Sequence, residues 1–319
     1  MNAPVTAAAD LAAALAIPGV GPDDLRPLRS KGMAHAHWRA GDRGPVVRVP
    51  RWSQTDLAPL VHLETEAAAF RRAEPSGHVP RLLDVVAPSA RLPMGALLVD
   101  AVDGRPPRLP ADLAAVAAAL AAIHALPLPV AADRAPLASP ADPVRATADL
   151  VGRQAVWFER IPLPSTVRDR LSDEVAWAAR LPGAGPPTAL VGVDVHPGNV
   201  LVDRAGKAWV VDPERMQYGL PALDLAHATA DTSTRFDPDV DALLGDADVA
   251  RFVAAWAAAV PPDLSRDAAT LFPVARRLVR LRTLAWMARW KADVGPAQGG
   301  AVDPAVRAHV DRVITALLG

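Results

Sequence analysis

Apolar and polar positions change their period several times along the chain. Val46-Val47-Arg48-Val49 is a short β-branched run closed by Gly44-Pro45 and by Pro50, which predicts a strand. From Leu57 to Arg72 the spacing becomes helical, with Leu60, Leu63, Ala67 and Phe70 on one face and Thr55-Asp56 placed to cap the start. Ala96-Leu97-Leu98-Val99 predicts a second strand, and Asp103-Gly104 a turn. Beyond it the pattern is mostly helical. An Ala/Leu helix is predicted over Asp112 to Ala125, buried and ending near His124. A proline-rich loop covers 126–143, and helical spacing returns over 144–180.

One segment of this second half breaks the helical pattern. Thr188 to Val191 leads into Asp194-Val195-His196-Pro197-Gly198-Asn199. Val200-Leu201-Val202, the turn Asp203-Arg204-Ala205-Gly206 and Ala208-Trp209-Val210-Val211-Asp212 then read as a β-hairpin. Helices resume from Ala222. The expected fold is α+β with two lobes: a small β-rich lobe over residues 1–98, a hinge at 99–104, and a larger helical lobe over 105–319 that contains the hairpin.

Composition removes several function classes. The 319 residues carry 34 Lys+Arg against 35 Asp+Glu, so no overall basic field exists for nucleic acid or an anionic membrane. Without cysteine there is no disulfide, thiolate metal site or cysteine nucleophile. The first ten residues hold no positive charge, which argues against a secretory signal. The longest uncharged apolar run, Leu113 to Ile123, is short of the roughly 20 residues that span a bilayer. A cytoplasmic protein is expected. Its lysines are only Lys31, Lys207 and Lys291, so a role that needs lysine has few candidates.

The hairpin segment carries the chemistry. A hairpin brings its ends together, so Asn199 and Asp212 should converge. Two hard oxygen ligands with open positions suit Mg²⁺, which keeps waters and shares substrate phosphates. Asp194 would lie beside that ion, where a carboxylate can accept a proton from an attacking hydroxyl.

Asp194-x-His196-Pro197-x-Asn199, followed thirteen residues later by Asp212, resembles the aminoglycoside phosphotransferase and choline kinase family, which has a protein-kinase-like fold. Asp224-Leu225-Ala226, the hinge-like Leu98-Val99-Asp100 with Asp103-Gly104-Arg105, and Ile123-His124 extend the resemblance over most of residues 25–230. It implies an ATP-dependent transfer of phosphate to a hydroxyl of a small molecule. Asp194 would be the base, and Asn199 and Asp212 the Mg²⁺ ligands. Glu66 would pair with the cation of the Val46–Val49 strand, with Glu64 as the competing choice. Backbone at Val99, Asp100, Ala101 and residue 102 would meet adenine, and phosphates would lie under a loop containing Ser30 and Gly32. Asp224 would brace the catalytic loop.

Three positions depart from the family pattern. Arg48 stands where the strand lysine is usual, keeping the charge but not the point-like ammonium. Gly192-Val193 replaces the usual His-Gly before the catalytic aspartate, and the segment 30–35 has one glycine rather than a glycine-rich run. Arg48 and Gly192 keep a second reading open, a nucleotide-binding pseudokinase that regulates or scaffolds. Enzymes acting on a protein side chain are a further alternative, with no peptide-groove signal behind it.

Other clusters have structural readings. His35 and His37 share a face of a possible strand, without a third metal ligand in view. Asp237, Asp239 and Asp241 imitate the start of a calcium loop, but Ala242 and Asp248 stand where glycine and glutamate belong. They read as a solvated loop or as a surface for a cationic substrate. Arg276, Arg277, Arg280, Arg282 and Arg289 read as a solvated helix face or an anion-binding surface. Trp256, Trp286 and Trp290 read as core. Amino alcohols, sugars, hydroxy acids and macrolides are all compatible acceptors, although the C-terminal Ala316-Leu317-Leu318-Gly319 offers no acid to clamp an amine.

Overall fold

The computed structural model describes residues 7–15, 17, 19–29, 31–53, 56–298 and 302–318. After α1 (Ala8–Leu15) come β1 (Leu25–Pro27), β2 (His35–Ala40), β3 (Val46–Pro50), α2 (Pro59–Ala73), β4 (Leu82–Val86) and β5 (Ala96–Val99). The five strands form one antiparallel sheet in the order β1-β2-β3-β5-β4. The two-residue period of a strand divides its side chains between two cores. Val47, Val49 and Leu98 enter a cluster with Leu11 of α1, while Leu97 and Val99 face Leu63 and Phe70 of α2 in the main core.

That main core continues without a break into the second lobe. Its elements are β6 (Gly104–Arg105), α3 (Leu113–His124), α4 (Pro143–Gln154), α5 (Ser165–Ala179), β7 (Ala189–Val191), β8 (Val200–Asp203), β9 (Ala208–Val210) and β10 (Gln217–Gly219). They are followed by α6 (Pro221–Thr229), α7 (Asp231–Thr234), α8 (Asp246–Ala257), α9 (Pro262–Arg289), α10 (Gly295–Gln298) and α11 (Pro304–Leu318). The hairpin expected from sequence is β8–β9, with Val200 opposite Val210 and Val202 opposite Ala208. β6, which begins at the last residue of the expected hinge, adds a third strand to it.

The α+β architecture expected from the sequence is observed, with an antiparallel sheet first and helices after it. Details of α2 differ. It starts at Pro59 behind Ala58 rather than under a Thr55-Asp56 cap; Thr55 lies outside the described residues, and Asp56 has φ 56°. Leu63, Ala67 and Phe70 are buried, but Leu60 is 51% exposed in the first turn. The 144–180 stretch is two helices, α4 and α5, separated by a 3₁₀ segment at Ala155–Arg160. Among the described residues no helix is long and apolar enough to cross a membrane.

Candidate active site

A cavity of about 550 Å³ lies between the sheet and the helical lobe, lined by residues of both. Arg48 reaches it from β3, on the face opposite Val47 and Val49. Its guanidinium donates to Asp212 at 2.5 Å and to the Val211 carbonyl at 3.3 Å, and stands 3.9 Å from Glu66. The closer partner of Glu66 is His35 of β2, at 2.7 Å, and the other nitrogen of His35 lies 3.2 Å from Glu214. Arg48, His35 and Glu66 are all at most 4% exposed. Glu64 is exposed, so Glu66 is the inward-facing glutamate of α2.

Charge explains the titration of this group. Burial disfavours ionisation of both Glu66 and Asp212, but their cationic neighbours outweigh it and hold both carboxyls low; His35 is foremost for Glu66 and Arg48 for Asp212. Burial also disfavours protonation of His35, yet Glu66 and Glu214 raise its pKa. Glu214 is pushed up to about 8 by burial, helped by the nearby Asp212 and Glu66 carboxylates. His37, buried beside Arg48, is lowered to about 3.

The open end of the hairpin brings Asn199 and Asp212 to one place. The Val211 N–H donates to the Asn199 carbonyl at 3.0 Å, fixing the two chains across from each other. Asn199 spends its amide nitrogen on the Asp194 carbonyl at 2.9 Å, which leaves its amide oxygen available to a cation. Asp212 uses one oxygen on Arg48. An amide oxygen and a carboxylate oxygen, both facing the cavity, are the hard donors that Mg²⁺ takes. His35, His62 and Glu66 also hold three ligand atoms within 4.8 Å of one another. There the short His35–Glu66 ion pair already joins two of them.

Asp194 sits on a loop held by a buried carboxylate. Asp224, fully buried in α6, accepts from Gly192 N–H at 2.6 Å, Val193 N–H at 2.9 Å and His124 Nε2 at 3.1 Å. Trp256 Nε1 donates to His124 Nδ1 at 3.0 Å, so the proton of a neutral His124 lies on Nε2, toward Asp224. Val193 has φ 63°, a left-handed conformation that is unfavourable for a β-branched residue. Its carbonyl accepts from Arg282 at 2.9 Å. Gly192 packs tightly: a Cβ there would come 2.2 Å from Val195 Cγ1, so any side chain at that position would have to displace Val195.

Burial opposes ionisation of Asp194, but His196, His227, Arg282 and Arg215 around it bring its pKa below the usual carboxylate value. His227, 3.9 Å away, is lowered to about 3 by burial and by Arg282. His196 accepts from Gly198 N–H at 3.2 Å and shapes the turn.

The remaining expected site residues are placed as follows. Val99 and Asp100 line the cavity together with Val102; the Asp100 N–H is taken by the Arg81 carbonyl, and Ala101 is half-buried next in the chain. Gly32 lines the cavity, whereas Ser30 lies outside the described residues. In the acidic stretch Asp237 is buried while Asp239 and Asp241 are exposed, and all three carboxylates are paired rather than free for a cation. Lys31 binds Asp237 at 3.0 Å and Asp239 at 2.5 Å, and Arg29 binds Asp239 and Asp303. Arg276, Arg277 and Arg280 pair with surface carboxylates, but Arg282 turns into the cavity. Trp256 and Trp290 are core, as expected, and Trp290 also lines the cavity together with the partly buried Trp286. Glu214 and His227 were not singled out by the sequence, and Arg282 only as one of five arginines on a solvated or anion-binding helix face. That face and the shared strand face of His35 and His37 were the signals pointing there.

Residues 24–262 match the sequence model of the phosphotransferase enzyme family. No curated protein matches the chain. Among solved structures it is similar to a choline/ethanolamine kinase family protein from Mesorhizobium loti, with 19% identity, 98% of this chain and 92% of that one covered, and a TM-score of 0.62. It is also similar to an ethanolamine kinase from Plasmodium vivax, at 12% identity, 93% and 83% coverage and a TM-score of 0.60. A third is an aminoglycoside phosphotransferase from Alicyclobacillus acidocaldarius, at 17% identity, 96% and 94% coverage and a TM-score of 0.52. At these identities the likeness is one of fold.

Proposed function

The chain belongs to the phosphotransferase enzyme family, and on that premise we propose that it moves the γ-phosphate of ATP to a hydroxyl of a small molecule. The observation that carries the reading is the convergence of Asp194, Asn199 and Asp212 on one cavity, with Arg48 donating to Asp212 from the opposite lobe.

Adenine lies against backbone at Val99 to residue 102, and the phosphates extend beneath the segment around Gly32 toward Arg48. Glu66 and His35 keep the Arg48 side chain aimed at that path. Asn199 and Asp212 are the ligands for Mg²⁺, which when bound neutralises charge on the phosphate oxygens. Asp194, ionised at neutral pH, accepts a hydrogen bond from the acceptor hydroxyl and aligns it with the γ-phosphorus. As the new oxygen–phosphorus bond forms and the bond to the β-phosphate oxygen breaks, the hydroxyl proton passes to Asp194 and ADP leaves. Asp224 acts through the loop, keeping the carbonyl and carboxylate of Asp194 in place.

A pseudokinase is the second reading, supported by Arg48 in place of lysine and by the closed Arg48–Asp212 pair. A thermal-shift titration with ATP, with and without Mg²⁺, on wild type and Asp212→Ala separates the two. A ligand at 100 times its Kd stabilises by about 2.7 kcal/mol. A Mg²⁺-dependent shift lost in the variant is expected for the enzyme. A metal-independent shift would favour the pseudokinase, and no shift with any nucleotide would sink both.

A further inference from the structure

Beyond Asp194 the cavity has a part that ATP and the metal ligands do not use. Its wall is aromatic. Phe236 meets Trp286 edge-on with centroids 5.4 Å apart, and Trp286 lies against Trp290 at 5.8 Å. Arg282, Trp286 and Trp290 follow at intervals of four residues, so they form one stripe along α9 and the turn after it. Ser233 Oγ, on a residue only 2% exposed, lines the same space without a hydrogen-bond partner.

Charge in this part is one-sided. Arg282 spends one N–H on the Val193 carbonyl, and neither it nor Arg215 makes an ion pair among the described residues, although both line the cavity. The carboxylates that would attract a cation at the mouth are already engaged, Asp237 by Lys31 and Asp239 by Lys31 and Arg29. The two guanidinium groups face one carboxylate here, that of Asp194, so positive charge is in excess, and negative charge outside the catalytic set is spent. Tryptophan faces alone would also suit a quaternary ammonium. The two unpaired guanidinium groups decide against it, because a like charge brought beside them is repelled.

We propose that the acceptor is a hydroxy acid with an apolar body: its hydroxyl at Asp194, its carboxylate on the open N–H groups of Arg282 with Arg215 nearby, and its body on Trp286. The inference rests on the phosphotransfer reading and narrows it. A planar guanidinium offers a carboxylate two parallel hydrogen bonds, which fixes the acid's orientation as well as its charge. An amine-rich sugar has no comparable partner in this part of the cavity.

The test is calorimetric titration, at saturating Mg-ADP and fixed salt, with 3-phenyllactate, its neutral analogue 3-phenylpropane-1,2-diol, choline and kanamycin. Phenyllactate is expected to bind at least tenfold more tightly than the other three. Arg282→Gln should bring its affinity to within twofold of the diol's, the acid losing at least fivefold more than the diol. Arg215→Gln, which removes no hydrogen bond of the described structure, should cut the acid's advantage at least threefold. Trp286→Ala should weaken acid and diol together, by fivefold or more. Choline or kanamycin binding as tightly as phenyllactate, or no measurable binding of the acid, overturns the inference. Equal loss of acid and diol in Arg282→Gln does so too, since Arg282 would then only prop the Val193 carbonyl. A Mg-ATP thermal shift retained alongside such a result removes the acceptor class alone, whereas a missing shift removes the phosphotransfer reading.

Discussion

On the sheet side of the cleft, Arg48 and His35 are set against three carboxylates, Glu66, Asp212 and Glu214. On the helical side, Asp224 is surrounded by two backbone N–H groups and one histidine N–H. Both groups are buried, yet they are held by different physics. A network of full charges in a low dielectric is sensitive to any further charge, and much of its attraction is offset by desolvation. A carboxylate among fixed dipoles gains less from any one partner but has no competitor to exchange with. The contrast suits the proposed chemistry. The sheet side must accept polyphosphate and a divalent cation, and Asp212 is shared between Arg48 and the cation site. The helical side must hold Asp194 still.

The comparison is tested most severely by the group that the rigid side positions. Asp194→Ala is expected to lower kcat by about 10²–10⁴-fold, the usual range for a lost acid–base group, while the Mg-ATP thermal shift persists. Near-normal turnover would remove the reason for a rigid loop.

The next largest effect concerns stability. Asp224→Ala orphans three buried donors at about 1–3 kcal/mol each, so urea unfolding should show a loss of at least about 3 kcal/mol. Glu214→Gln, by contrast, puts a neutral amide where burial and the neighbouring carboxylates already keep the carboxyl mostly protonated at neutral pH. Its cost should stay under about 1 kcal/mol, because no buried charge loses its partner. Equal losses in the two variants would erase the distinction.

Acid should act on the helical side through His227. Its folded pKa of about 3 lies below the ordinary histidine value, so between these limits the unfolded chain binds a proton that the folded chain does not. Stability is full above about pH 6.5 and falls as pH drops, by about 2 kcal/mol at pH 5 from this residue. Comparing urea midpoints from pH 7 to pH 5 in wild type and His227→Gln isolates the contribution. A wild-type slope unchanged by the substitution would show that His227 is not the proton acceptor.

The smallest effect is backbone strain. A left-handed conformation costs a residue with a Cβ roughly 1–2 kcal/mol, and glycine gives back about 0.5–1 in chain entropy. Val193→Gly should therefore stabilise by up to about 1 kcal/mol. Any clear loss would mean that the valine side chain packs better than its φ suggests.

Much of this site is legible along the chain because its parts are near in sequence. Asp194, Asn199 and Asp212 lie on one hairpin, so spacing and turn chemistry bring them together before any tertiary contact is known. Arg48 is recognisable as a charged residue alternating with valines in a strand. What sequence hides is pairing across the lobes. Glu66 was expected to pair chiefly with Arg48, yet His35 is the nearer partner. Lys31 and Asp237 are separated by 206 positions and still meet. Arg282 reads like its helix neighbours Arg277 and Arg280, and only the rotation of α9 sends it inward while those face solvent. Leu60 fails for a simpler reason: it fits the apolar stripe of α2, but the first helical turn extends beyond the surface that the stripe covers.

The pairing of β6 with β8 ties the proposed base-binding chain to the hairpin proposed to hold the cation. Gly104, the last residue of the expected hinge, and Arg105 have as partners Asp203 and Val202, which belong to the strand that starts next to Asn199. The proposed nucleobase contact and the proposed cation ligands thus flank one three-stranded β-sheet, like two marks on a single ruler. Opening or closing of the sheet lobe above it would alter the grip on the phosphates without changing that span.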